Sequence, residues 1–214
     1  IGAGRVRSSF VMTEPHPGGG SDPARIRTTA ERRGDRWVVH GHKWFITGAA
    51  AASHFLLIAR TSDDARKGHT AFMYHRDQPG WRLLRRIPIM GPEEHGGHGE
   101  LVFEGLEIPD ENRLLGVGDG LKVAQIRLGP ARLTHCMRWL GLADRTLELS
   151  KEYVNKRVSF GKPLAQHQMI QLKIAEAARG IHAGNLMTFH CASMLEAGLA
   201  KEAKPYSSMC KNHV

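Results

Sequence analysis

The stretch Phe10–Asp22, FVMTEPHPGGGSD, and its companion Gly41–Gly48, GHKWFITG, decide how this chain is read. The first is an apolar strand that runs into a Thr-Glu-Pro corner and a triple-glycine turn. The second is a strand with an aromatic pair and a threonine at its tip. Gly18, Gly19 and Gly20 carry no side chain, so backbone N–H groups there can face a ligand closely. Such paired strand ends suit a large, flat, phosphate-bearing cofactor better than a packed core. Taken singly, each has a plainer reading: a strand followed by a glycine turn, and a buried strand whose aromatics fill a core.

Around these segments the first half of the chain reads as strands. Val6–Thr13, Ile26–Arg32, Arg36–His40, Trp44–Thr47, Phe55–Thr61, Thr70–His75, Trp81–Ile87 and Glu100–Leu106 are short β-rich runs. Turn signals such as Arg33-Gly34-Asp35 and Gln78-Pro79-Gly80 separate them. Regular spacing without intervening helices predicts antiparallel β structure, a barrel or a sandwich. Near Gly116 the pattern changes. Leu133, Met137, Leu140, Ala143 and Leu147 recur at helical spacing, and Pro130, after Gly129, is placed at the first helical position. A break at Phe160-Gly161-Lys162-Pro163 precedes a second helix from about Gln166 to Leu195. Ile170, Ile174, Ala177 and Ile181 lie on one face of it, and Gly198 marks its stop. A third helix begins before Val214. The fold class is therefore α+β: an antiparallel β-barrel domain over residues 1–116, then part of an antiparallel helical bundle over 117–214. These helices call for missing helices or a partner chain to cover them, and the chain reads as a piece of a longer protein.

The 214 residues contain no apolar run long enough to span a membrane. Cys136, Cys191 and Cys210 show no paired spacing, which fits a reducing compartment rather than a disulfide framework. The net charge of +9 fits either a solvated basic surface or a polyanionic ligand, nucleotide cofactor or nucleic acid.

Other motifs carry less. In RVSFGKPLAQHQ, Arg157–Gln168, Arg157 suits a pyrophosphate and Gln168 a nucleotide; the plain reading is a helix connector. EEHGGHGE, Glu93–Glu100, places His95 and His98 in a glycine-rich loop without a third spaced ligand, so it reads as a solvated loop and not a metal site. Gly116–Gly120, GVGDG, lacks the βαβ context of a dinucleotide fingerprint and reads as a hinge. Arg132 falls in the first turn of its helix, where a cation needs an anion or carbonyl partner. His135 and Cys136 are adjacent and point apart, against a Cys–His nucleophile.

In order, MTEP…GGGSD, GHKWFITG, VFEGLEIPDENRLLG and RVSFGKPLAQHQ resemble the acyl-CoA dehydrogenase family along essentially the whole chain. RLGPARLTHCMRWLGLADR is most similar to the subgroup typified by human members ten and eleven and their bacterial relatives. The resemblance implies a flavoprotein with FAD against a β-barrel middle domain, and the nucleotide end reaching the helical domain of a neighbouring subunit. It matches Phe10, Val11, Met12, Thr13 and Ser21 to the first flavin-contacting segment, and Phe45, Ile46 and Thr47 to the segment beside the ring, Thr47 near N5. Arg157, Val158, Ser159, His167 and Gln168 match the stretch binding FAD across the interface. Ser21 and Arg132 match substrate contacts.

The implied reaction is α,β-dehydrogenation of an acyl-CoA thioester. A carboxylate takes the α-proton, the β-hydride passes to flavin N5, and donors around the thioester carbonyl polarise it. The implied partners are acyl-CoA, an electron-transfer flavoprotein and further copies in a homodimer or homotetramer. The implied location is the cytoplasm in a bacterium, or mitochondrion or peroxisome in a eukaryote. Two departures stand out. The turn EPHPGGGSD is two residues longer than EPGAGSD, and Ala131 stands where one branch carries its catalytic glutamate. The base is therefore expected beyond Val214, with no catalytic residue in this chain. An alternative is a basic DNA-binding protein of the same fold with little dehydrogenase activity; the basic residues form no clear stripe, which ranks it lower.

Overall fold

The computed structural model describes residues 3–20, 22–64, 67–91 and 96–214. The chain divides into two compact units, Ile1–Gln125 and Ile126–Val214.

The first unit is built on one sheet. Its strands are β1 (Ser8–Val11), β2 (Thr29–Arg33), β3 (Arg36–Thr47), β4 (His54–Arg60), β5 (His69–His75), β6 (Trp81–Ile87), β7 (His98–Pro109) and β8 (Arg113–Leu114). They pair in the order β6-β7-β3-β2-β4-β5-β8, with β1 on β4. The expectation of a purely antiparallel barrel is corrected here. β1 and β2 both pair with β4 in parallel, so the sheet is mixed. The pairing is an open path, with no ladder joining β6 to β8 among the described residues. Strand patterns show which face is buried but not which distant strand supplies the partner, so β1's parallel pairing is invisible in the sequence.

The runs Arg36–His40 and Trp44–Thr47 are one strand, β3, paired along most of β7 and interrupted by register shifts at Val39/His40 and Lys43/Ile46. Alternate apolar side chains on one face of these ladders fill the main core, and Ile26, Ile58 and Ala71 form a separate, smaller cluster. Val39, Phe55, Leu57, Phe72, Leu101 and Phe103 are at most 1% exposed, and Phe55 stacks on Tyr74 at 4.8 Å. Gly80 shows why glycine is needed at one turn: its φ is +91°, and a Cβ there would lie 2.6 Å from the Gly105 carbonyl oxygen.

Helix α1 runs Gly120–Lys156, α2 Gln168–Glu196 and α3 Ala203–His213, with a short hairpin of β9 (Val158–Ser159) and β10 (Lys162–Pro163) after α1. Pro130 lies inside α1 and does not start it. A proline there removes one hydrogen bond and crowds the preceding turn, but the helix continues on both sides of it. Gly198, at φ +78°, follows the end of α2. In the second unit Leu133, Cys136, Cys191, Ala203 and Cys210 form one buried cluster, so the three cysteines meet as small apolar side chains and are free thiols. Burial pushes the Cys136 and Cys191 thiols up, away from reactivity.

Candidate functional site

β1 ends at Val11, and the chain then crosses beside the tip of β3. Trp44 N–H donates to the Thr13 carbonyl at 3.0 Å, and Ser9 Oγ donates to the Thr47 carbonyl at 2.8 Å. These bonds hold Phe10–Thr13 against Phe45–Thr47, so the structure brings both sequence-derived segments together. Their side chains divide. Val11 and Ile46 are buried in the main core and can offer only backbone to a ligand. Phe10 and Met12 are half-buried and pack on Ile26, Ile58 and Ala71. Thr13 is half-buried, and Phe45 and Thr47 are exposed. Ser21 lies outside the described residues.

The exposure of Phe45 has a local cause. The register shift between Lys43 and Ile46 is a bulge, and Phe45 has φ +52°, an unusual value for a bulky side chain. The bulge turns an aromatic ring outward, 43% exposed, at the end of a strand whose neighbours are in the core. Strain of this kind persists where surrounding structure enforces it, and it concentrates at functional sites.

A buried ion pair stands behind the wall. Lys43 is fully buried, and its Nζ donates to the Met12 carbonyl at 2.8 Å and lies 3.0 Å from Glu14 Oε1. Glu14 also accepts from Arg27 N–H at 2.7 Å and Thr28 N–H at 2.9 Å. Burial works to raise the Glu14 carboxyl, but Lys43 and these donors outweigh it and hold the group below its ordinary value. Burial pushes Lys43 down to about 8, against the pull of Glu14. The pair therefore stitches Met12 to β3 and to the segment before β2. Sequence reasoning passed over both residues; the available signal was a lysine in a strand among core positions.

The glycine turn differs from expectation. Gly18 N–H bonds to the Pro15 carbonyl at 2.7 Å, so it is spent within the turn. A Cβ on Gly18 would meet Glu14 Oε2 at 2.4 Å, and one on Gly19 would meet the Asp22 carbonyl at 2.3 Å. The Glu14 side chain therefore leaves no room for a Cβ at Gly18, and the backbone of Asp22 leaves none at Gly19.

Beside the turn lies a groove of about 550 Å³ lined by Arg25, Arg27, Arg60, Ser62, Asp63 and His69. His69 is 2% exposed, and neither ring nitrogen has a partner among the described residues. Burial, then Lys43 and Arg60, hold its pKa below the ordinary histidine value.

In the second unit, the residues after α1 form a tight hairpin. Phe160 and Gly161 both have positive φ, +52° and +77°, as a two-residue hairpin turn of this hand requires. Leu164 N–H bonds to the Arg157 carbonyl at 2.8 Å, and His167 Nε2 lies 3.2 Å from the Ser159 carbonyl. Arg157, Val158 and Gln168 are exposed and Ser159 and His167 half-buried, so one short segment presents them together. Gln168 opens α2, where unpaired N–H groups favour an anion. Arg132 is exposed but sits well inside α1, which begins at Gly120; the first-turn placement is corrected. A groove of about 650 Å³ lined by Trp139, Leu142, Ile174, Ala177 and Ile181 is apolar and has the character of a helix-packing surface. No group of three or more metal-binding side chains occurs among the described residues, and His95 lies outside them.

Comparison with known proteins gives a consistent picture. The acyl-CoA dehydrogenase middle-domain family matches residues 9–106, and the acyl-CoA dehydrogenase C-terminal-domain family matches residues 118–214. The probable acyl-CoA dehydrogenase FadE2 of Mycobacterium tuberculosis is 37% identical over 212 residues, covering 97% of this chain and 52% of that protein. Acyl-CoA dehydrogenase family member 11 of Homo sapiens is 33% identical over 215 residues, covering 97% of this chain and 27% of its own length. The chain thus spans about half, or less, of the curated relatives it matches. Among solved structures, butyryl-CoA dehydrogenase from Megasphaera elsdenii superposes with a TM-score of 0.84 at 31% identity, covering 96% of this chain and 55% of that one. A structure described as an electron transferring flavoprotein of Acidaminococcus fermentans gives 0.83 at 30% identity, covering 97% and 55%. With its ordered motifs and two contiguous domain matches, the chain belongs to the acyl-CoA dehydrogenase family, with family members ten and eleven among its close homologues.

Proposed function

We propose that residues 1–116 and 117–214 are the middle and helical domains of an FAD-dependent acyl-CoA dehydrogenase, and that Phe10–Thr13 and Phe45–Thr47 form its flavin wall. The observation that carries this reading is the outward-turned Phe45 with Thr47 at an exposed strand tip, fastened to the Met12–Thr13 segment. The residues present fit such a cofactor: an exposed aromatic for a planar ring, a hydroxyl for its polar edge, and unburied cations for phosphates. When bound, FAD supplies the hydride acceptor.

The chain's own residues bind and orient. Phe45 packs against the ring, Thr13 and Thr47 hold its polar edges, and Ser21 serves both cofactor and thioester. Arg157, Val158, Ser159, His167 and Gln168 hold the nucleotide half of an FAD within a homo-oligomer. Arg25 and Arg27 suit the phosphates of CoA, Arg60 being paired with Asp63 in the same groove, and Arg132 suits the substrate. An electron-transfer flavoprotein is the proposed acceptor. The four motifs assign none of the residues 1–214 as the proton-abstracting base.

The test is anaerobic. The full-length flavoprotein is mixed with acyl-CoA thioesters of several chain lengths. Bleaching of the oxidised flavin absorbance by at least one of them supports the reading, and no bleaching by any of them defeats it. Salt-sensitive binding of duplex DNA without bleaching would favour the rival reading.

A further inference from the structure

We propose that His98 is a positioning residue of the flavin wall, fixing the orientation of the Thr47 hydroxyl; this rests on the reading above that Thr47 faces the flavin. His98 opens β7 and is the cross-strand partner of Thr47. Its Nδ1 lies 3.1 Å from Thr47 Oγ1, and its ring meets that of Phe45 edge-on with centroids 6.5 Å apart. One imidazole therefore touches both side chains that the wall exposes.

The glycines around His98 account for this approach. Gly48 N–H donates to the Gly97 carbonyl at 2.7 Å, and Ala50 N–H bonds to the Gly96 carbonyl at 3.4 Å. Gly96 has φ +96°, and a Cβ there would lie 2.6 Å from Ala51 N. A Cβ on Gly99 would lie 2.7 Å from that of Ala49. Residues 96–99 are thus a strap held against the turn that follows β3, and side chains on the glycines would lift it off. The GGHG sequence reads as solvated loop in isolation; in the fold it delivers one histidine to Thr47.

The chemical consequence follows from a hydroxyl's inventory of one proton and two lone pairs. If Nδ1 accepts the Thr47 proton, Thr47 offers only lone pairs to a ligand. If Nδ1 carries a proton and donates it, the Thr47 proton remains for the ligand. A ligand edge that changes from acceptor to donor on reduction is served in both states only if His98 can exchange which nitrogen is protonated. Without His98 the hydroxyl is unconstrained.

The experiment is a double-mutant cycle on the full-length FAD-loaded protein, read by anaerobic potentiometric titration and by FAD affinity of the reconstituted apoprotein. His98→Phe is expected to change the oxidised-to-reduced flavin ratio at fixed potential by about tenfold, about 30 mV for a two-electron couple. His98→Asn, whose side-chain amide keeps a polar atom near the Nδ1 position, should restore most of it. In a Thr47→Val background His98→Phe should add little. Should His98→Phe not take up FAD, His98→Gln, whose amide is a methylene too far from Thr47, carries the same cycle. An equal shift in both backgrounds, or no shift from His98 when Thr47→Val alone gives one, overturns the proposal. If Thr47→Val changes neither affinity nor potential, the flavin-wall reading itself falls, and this proposal with it.

Discussion

Replacing Lys43 by methionine tests the frame behind the wall. Lys43 and Glu14 are almost without exposure, at 0% and 3% for their side chains, so water screens neither. Methionine keeps the stem and removes the ammonium. The Glu14 carboxylate then keeps its two amide donors, Arg27 and Thr28, but loses its cation, and the Met12 carbonyl loses its donor. Removing one partner of a buried pair costs about 3–5 kcal/mol. The surviving amide bonds place Lys43→Met near the lower end, about 3 kcal/mol. Glu14→Gln strands the cation instead and turns an NH₂ toward one of two backbone donors, with a similar cost. The double replacement leaves no buried charge, so it should cost about 2–3 kcal/mol less than the sum of the singles.

Guanidinium denaturation read by near-ultraviolet circular dichroism gives the three differences, provided the first unit unfolds in a single transition. Hydrogen exchange at the Arg27 and Thr28 amides reports the same pair locally. Additive single effects, or a Lys43→Met cost below about 1 kcal/mol, would refute the idea that this pair organises the segment.

Further outcomes follow from named groups. The unfolded Lys43 keeps its proton up to its ordinary 10.5, while the folded one releases it near about 8. Between these values the unfolded chain binds the extra proton, so stability should rise with pH there, and Lys43→Met should lack this increment when the two proteins are denatured across that range. Tyr74 Oη is buried without a partner among the described residues, so Tyr74→Phe should stabilise by about 1 kcal/mol in the same denaturation assay. Gly80→Ala forces a Cβ against the Gly105 carbonyl at positive φ and should destabilise by about 2–3 kcal/mol, seen as a lower denaturation midpoint. Arg157→Leu, at an exposed position, should leave apoprotein thermal stability unchanged but weaken FAD binding about tenfold or more, from loss of a charge-assisted bond.

Much of the architecture was legible in residues. Trp81–Ile87 is the strand that its β-rich run and flanking turn signals predicted, and the helix expected from about Gln166 to Leu195 is Gln168–Glu196. Local signals served where the determining physics is local. They failed where it is not. Gly129-Pro130 has the signature of a helix start, yet α1 passes through it, because continuation on both sides offsets one lost hydrogen bond. β1's parallel pairing with β4 and the meeting of three separated cysteines depend on chain reversals that no short window records. At the candidate site the exposed pair Phe45 and Thr47 could be named from its motif. Their supports, Lys43, Glu14 and His98, could not, since each acts through a partner 29 to 51 positions away in sequence. Charged or glycine-flanked residues inside otherwise apolar strands are the signal worth following.

The structure of the full-length protein with FAD bound tests the central claim most directly. The flavin ring is predicted to lie against Phe45, with Thr47 Oγ1 within hydrogen-bonding distance of the ring edge, about 3 Å, while still bonded to His98. A ring bound elsewhere, or a β3 tip covered by protein instead of cofactor, would contradict the account.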